Sequence, residues 1–145
     1  MPGLLANDLP TVATWLGRAG LLPFIGLSLA TYLDTEHALL WGNVLATYAL
    51  AIHCFLAGAW WGISLIRRHW KILVISNAAV LAAFFGQVLL PVDEFLVLCA
   101  LLFPCILVVE RLHPAFQQQP PYYAQLRLQL TAVATVALLF AANQY

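Results

Sequence analysis

The chain has 145 residues, of which 63% are hydrophobic and 8% charged, with six acidic and six basic side chains and a net charge of zero. A soluble domain averages about 25% charged residues, and so few charges cannot clothe a chain of this length in a polar shell, so the apolar excess is expected to face lipid. No basic arm or patch stands out, which leaves nucleic-acid binding without electrostatic support.

The start of the chain, MPGLLANDLPTVATW, lacks the cationic leader of a signal peptide and carries Asp8 instead. The first apolar segment is therefore expected to stay as an anchor. Five such segments follow in order, each near the roughly 20 residues that cross about 30 Å of hydrocarbon. The first covers about residues 14–33 and contains Pro23, which is expected to kink it. A polar turn, Asp34-Thr35-Glu36-His37, can cap the second, at about 38–66. The third spans about 72–90 and the fourth about 95–112, joined by the acidic turn Pro91-Val92-Asp93-Glu94, and Pro104 lies inside the fourth. The stretch HPAFQQQPPYY (113–123) is too rich in proline for a helix and reads as a turn-rich strap before the fifth segment, at about 122–143. The expected fold is an all-α, single-domain membrane bundle of five transmembrane helices over residues 1–145.

Charge sets the expected orientation. Asp34, Glu36, Asp93 and Glu94 fall in the turns after the first and third spans, without a lysine or arginine. Arg18, Arg67, Arg68, Lys71, Arg111 and Arg127 all fall at the opposite ends of a five-span arrangement. Cations stay on the cytoplasmic side, so the N-terminus is expected inside and the C-terminus outside, in the periplasm of a bacterium. Trp15, Trp61, Trp70, Tyr122 and Tyr123 are then placed at the inner interface, and Tyr32, Trp41, Phe95 and Tyr145 at the outer one.

Within the second span, Asn43, Thr47, Ala51, Cys54, Gly58 and Gly62 recur at steps of three or four and form one small-residue stripe. Helices in lipid associate through close backbone approach and a few hydrogen bonds. The stripe therefore reads as a packing seam, inside the fold or between subunits, and Ala78, Ala82 and Gly86 of the third span are a candidate partner. About one hundred degrees round the helix lies His53, on a line with Ala57, Trp60 and Ser64. An ionisable residue at that depth is a functional hypothesis by default. With Ser76, Asn77 and Gln87 it could line a ligand or proton pocket, or those side chains and a backbone carbonyl could simply satisfy the imidazole.

At the inner end, Arg18, Glu110, Arg111 and Arg127 share a depth, so Glu110 is expected to pair with Arg18 or Arg127. Arg67, Arg68 and Lys71 complete a cluster able to meet anionic headgroups. Cys54, Cys99 and Cys105 sit in apolar runs without paired spacing and read as small hydrophobes. Neither a metal site nor a cofactor motif is present in the sequence, and no catalytic residue is assigned.

At LGRAGLLPFIGL (16–27), GAWWGISL (58–65) and YYAQLRLQLT (122–131) the chain resembles the domain of unknown function 3429 family of small bacterial membrane proteins, related to the animal transmembrane protein 69 group. That family often has a histidine before the tryptophan of the G-x-x-W-G step, where Trp60 stands here. The resemblance implies a multi-pass protein of the bacterial inner membrane and carries over no catalytic residues. The leading functional expectation is a structural or accessory membrane protein acting through helix packing, in contact with membrane lipids and assembling as a homo-oligomer or within a larger membrane complex. Two alternatives stay open: a small transporter or channel using proline-broken helices and the His53 pocket, and a redox-ligand or quinone-binding protein.

Overall fold

The structure is a computed structural model that describes residues 4–145, with side chains from Asp8 onward. It is all-α: α1 (Leu4–Ala19), α2 (Leu21–Leu33), α3 (Ala38–Arg67), α4 (Trp70–Leu89), α5 (Val92–Leu112) and α6 (Pro121–Ala142), with 3₁₀ turns at Thr35–His37 and Pro114–Phe116. Five stretches are long and apolar enough to cross a membrane: Asp8–Leu33, Thr35–Arg67, Trp70–Leu89, Val92–Leu112 and Pro121–Ala142. Their outward faces are apolar too, with Phe55, Ile66, Leu89, Leu101 and Val136 exposed.

The interruption in the first stretch lies at Gly20, three residues before Pro23. A proline ring crowds the carbonyl of residue i−4 and offers that carbonyl no N–H, so the helix breaks around Ala19 and Gly20. Pro23 itself then sits in the first turn of α2, where its missing donor costs nothing. The hydroxyl of Tyr48 on α3 donates to the Gly20 carbonyl at 2.8 Å, anchoring the break against the bundle. Pro104, by contrast, is carried inside an unbroken α5.

α5 and α6 form the most extensive helix pair, followed by α3 with α4, and α2 packs on both α3 and α6. Leu45, Leu56, Phe95, Leu96, Phe103 and Leu138 make the centre of the core. Phe95, expected at the outer interface, is 1% exposed, because its ring fills the space left by Gly86 on α4. A Cβ on Gly86 would land on Leu98 and Phe95, so this glycine sets the distance between α4 and α5.

Charge divides the two ends of the bundle. At the acidic end, Asp34 accepts from the His37 backbone N–H at 3.3 Å and the Trp41 indole at 3.1 Å, capping the turn into α3. The Trp41 N–H, and then His37, hold the Asp34 carboxyl below its ordinary value. Tyr145 closes this end, its hydroxyl donating to the Ala38 carbonyl while its ring lies over Gly42. At the basic end, Arg68 takes a left-handed conformation (φ 57°), and its N–H and that of His69 both reach the Ser64 carbonyl. The 113–123 strap is turn-rich, as expected, but it also folds inward: Ala115 and Phe116 are buried, and Phe116 packs on Trp60 at 5.3 Å.

Candidate functional site

Three helices meet at a buried ion pair near the basic end. Glu110, two residues before the end of α5, faces Arg127 in the second turn of α6. Arg127 Nε donates to Glu110 Oε2 at 2.9 Å and Nη2 to Oε1 at 3.2 Å, a two-pronged bond that matches the guanidinium fork. From α3, the Trp60 indole N–H donates to the same Oε1 at 3.0 Å. Glu110, Arg127 and Trp60 are 7%, 5% and 2% exposed, so the carboxylate is satisfied wholly by protein. Arg18, the other partner foreseen for Glu110, is exposed. Arg111 is exposed as well and donates to the Ala124 carbonyl at 2.8 Å, which ties the same two helices from outside.

Beside the pair lies a cavity of about 380 Å³ between α1, α2, α3, α5 and α6. Leu16, Leu21, Phe24, Leu56 and Phe103 supply apolar wall. The polar residues of its lining lie on one face of α6, where Tyr123, Arg127 and Thr131 follow one another four residues apart, with the Thr131 hydroxyl oxygen itself closed off from the cavity. Thr131 is 4% exposed and its hydroxyl has no partner among the described residues. Ser64 and Thr135 likewise have hydroxyls without a partner among the described residues, whereas Thr14, Ser28, Thr31 and Ser76 bond back to the preceding turn.

A family model described as protein of unknown function (DUF3429) matches residues 9–143. The chain belongs to that family. No curated protein and no solved structure matches it. The match takes in every element that builds the site, from the α1 wall of the cavity to the α6 polar face.

The other singled-out residues of this DUF3429 chain are distributed differently from their sequence grouping. His53 is 1% exposed, donates from Nδ1 to the Ala49 carbonyl of its own helix at 2.8 Å, and packs against Phe103 with ring centroids 4.0 Å apart and planes tilted by 39°. Its Nε2 has no partner among the described residues. Ser76 and Asn77 both bond the Leu73 carbonyl, and Gln87 donates to Thr47 at 3.2 Å, so none of the three bonds His53. Asn77 points outward and is exposed.

The small-residue stripe is not a seam within the chain. Asn43, Thr47, Ala51, Cys54, Gly58 and Gly62 are all exposed, as are Ala78 and Ala82 on α4. The buried face of α3 is the line of His53, Ala57, Trp60 and Ser64. The Gln87–Thr47 bond is the one polar link from α4 to the stripe among the described residues. Only Gly86 of the proposed packing set is buried, and it meets α5 rather than α3. Physically, the large members of the His53 line gain more contact when buried than glycine or alanine can offer. Arg67, Arg68 and Lys71 remain at the surface.

Two features of the site escaped sequence reading. Trp60 carries a signal in retrospect: it shares a face with His53, and a buried indole needs an acceptor, for which Glu110 is the acid at matching depth. The cavity leaves only a faint one, the glycines Gly17 and Gly20 that thin its wall.

Proposed function

We propose that the protein is a multi-pass protein of the bacterial inner membrane, with its N-terminus cytoplasmic and its C-terminus periplasmic. It works as a non-enzymatic accessory protein by packing against a second copy of itself through the small-residue face of α3. The segregation of lysine and arginine to one end of the bundle supports the orientation. Arg67, Arg68 and Lys71 then sit where anionic headgroups gather.

The single observation that carries the packing reading is the outward aim of the α3 stripe. All six of its residues are exposed, and nothing stands within 4 Å of a Cβ built on Gly58 or Gly62. In lipid, a glycine step earns stability only when another backbone comes close. The stripe holds no charge, so nothing in it selects a charged partner. Two copies in one membrane share an orientation, which makes a parallel α3 pair related by a two-fold axis, with each small residue meeting its own counterpart.

Cys54 lies on the stripe and is exposed, Cys105 is exposed on α5, and Cys99 is buried. Oxidative cross-linking in native membranes tests the reading directly. A variant retaining only Cys54 should give a disulfide dimer, because such a bond needs Cα atoms about 4.4–6.8 Å apart. Gly58→Leu and Gly62→Leu should abolish it. A monomer throughout, or an equal yield from a variant retaining only Cys105, would reject the α3 face.

A further inference from the structure

At the turn from α3 into α4, we propose a binding site for the phosphate headgroup of an anionic phospholipid, with Arg67, Arg68 and Lys71 as its charged contacts. The site deepens the placing of these residues at the membrane surface and rests on the chain lying in a bilayer. Charge selects an anion. Among the described residues only two ion pairs form, Glu110 with Arg127 and Asp34 with His37. The first holds its acid inside the bundle and the second lies at the opposite end, so Arg67, Arg68 and Lys71 have no carboxylate partner. Other positive or protonatable groups stand close to them. His69, between Arg68 and Lys71, meets the His113 ring edge-on at 5.2 Å. Burial first, then the charges of His69 and Lys71, hold the His113 pKa below its ordinary value. Like charges gathered at one turn repel, and an anion set among them relieves that repulsion.

The backbone supplies a second observation. Arg68 is the one non-glycine residue of positive φ (57°) among the described residues, at a helix end where glycine sits without strain. The turn itself needs only backbone there, the Arg68 and His69 N–H groups reaching the Ser64 carbonyl. Arginine at this position therefore adds strain together with a charge that no carboxylate of the fold engages. The surroundings select a lipid over a free anion. Leu65, Ile66 and Trp70 alternate with the cations along the chain and are exposed, so charge passes directly into apolar surface suited to an acyl chain. Trp61 and Trp70 are exposed indoles, the side chain that settles at headgroup level. Free phosphate would meet the cations and leave this surface bare, whereas an anionic phospholipid covers both. Basic residues beside a span each strengthen attraction to anionic lipid by about fivefold.

The test uses the full-length protein in nanodiscs of phosphatidylcholine with a minor fraction of phosphatidylglycerol, read by native mass spectrometry of the released protein. Such discs expose both leaflets, so the result depends neither on orientation nor on α3 pairing. The expected result is retained phosphatidylglycerol in excess of its share of the disc, undiminished by added inorganic phosphate. Arg68→Gly removes the strained side chain, so its melting temperature should equal or exceed the parent's while the enrichment falls about fivefold. Lys71→Gln should lower the enrichment similarly. Arg18→Gln removes an exposed charge from α1, which packs on α2 and α6, and should leave the enrichment unchanged. Lipid retained in the ratio of the disc would overturn the site, as would an enrichment that Arg68→Gly and Lys71→Gln do not alter. Displacement by inorganic phosphate would reject the lipid, and an equal loss in Arg18→Gln would replace the site by a diffuse field. A chain that does not enter the discs would overturn the membrane reading and this site with it.

Discussion

At the scale of single residues, Glu110 and Arg127 carry the largest electrostatic stake in the molecule, since each is more than nine-tenths buried. Removing one partner of such a pair strands the other charge and costs about 3–5 kcal/mol, whereas apolar replacement of both is often near neutral. Arg127→Met should therefore lower stability to denaturant in detergent by that amount, and the Glu110→Leu, Arg127→Met double variant should recover most of it. A single variant as stable as the parent would mean that water reaches the carboxylate. That Glu110 needed a cationic partner was legible from its depth in an apolar run. The choice of Arg127 over Arg18 was not, because it depends on which helix packs beside α5. Nor was the third donor: Trp60 reaches Glu110 across fifty positions of sequence.

At the scale of helices, glycines of equal appearance do opposite things. Gly86 lies in the α4–α5 contact, where an added Cβ would strike Leu98 and Phe95, while Gly62 faces open space. Gly86→Ala is expected to cost about 1–3 kcal/mol through overpacking. Gly62→Ala, measured on monomer in detergent, should instead gain about 0.5–1 kcal/mol, since alanine loses less backbone freedom in a helix. Thermal unfolding of the two variants side by side reads both signs, and two shifts of the same sign would contradict the packing described here. Helix positions themselves were readable: the expected boundaries fall within a few residues for four of the five spans. The first departs, because α1 already begins at Leu4 and carries Pro10 inside it, and because the break sits at Gly20 instead of Pro23. Sequence marks the proline; where the helix yields is decided by the weakest residue near the blocked carbonyl and by Tyr48, which meets the break from α3.

At the scale of the whole molecule, the two ends are closed by different chemistry, and at the basic end the cap at His113 responds to pH. His113 accepts the Ala115 N–H through Nδ1 at 3.1 Å, a bond that requires the unprotonated nitrogen, and its ring meets His69 edge-on at 5.2 Å. Burial first, then the charges of His69 and Lys71, hold its pKa below the ordinary 6.5. The unfolded chain therefore takes up the proton first. The contribution of this cap is complete above about pH 6.5 and is lost as pH falls from there through the lower native value. His113→Asn keeps an acceptor for the turn without titrating, so the difference in melting temperature between parent and variant should change across that window and stay level above it. A difference that is flat from pH 7.5 to 5 would remove His113 from the account.

Span number, span length and the separation of acidic from basic ends follow from transfer free energies that each residue contributes locally, and they can be summed along the chain without knowing a single contact. The inward face of each helix is another matter. A small-residue stripe and a His-Ala-Trp-Ser line on α3 are both plausible seams by periodicity, and the bundle buries the second. The cavity, the Glu110–Arg127–Trp60 junction and the outward stripe all come from that choice. It belongs to pairs of helices, because the contact energy of a face exists only once a particular neighbour, with its own bulges and gaps, lies against it.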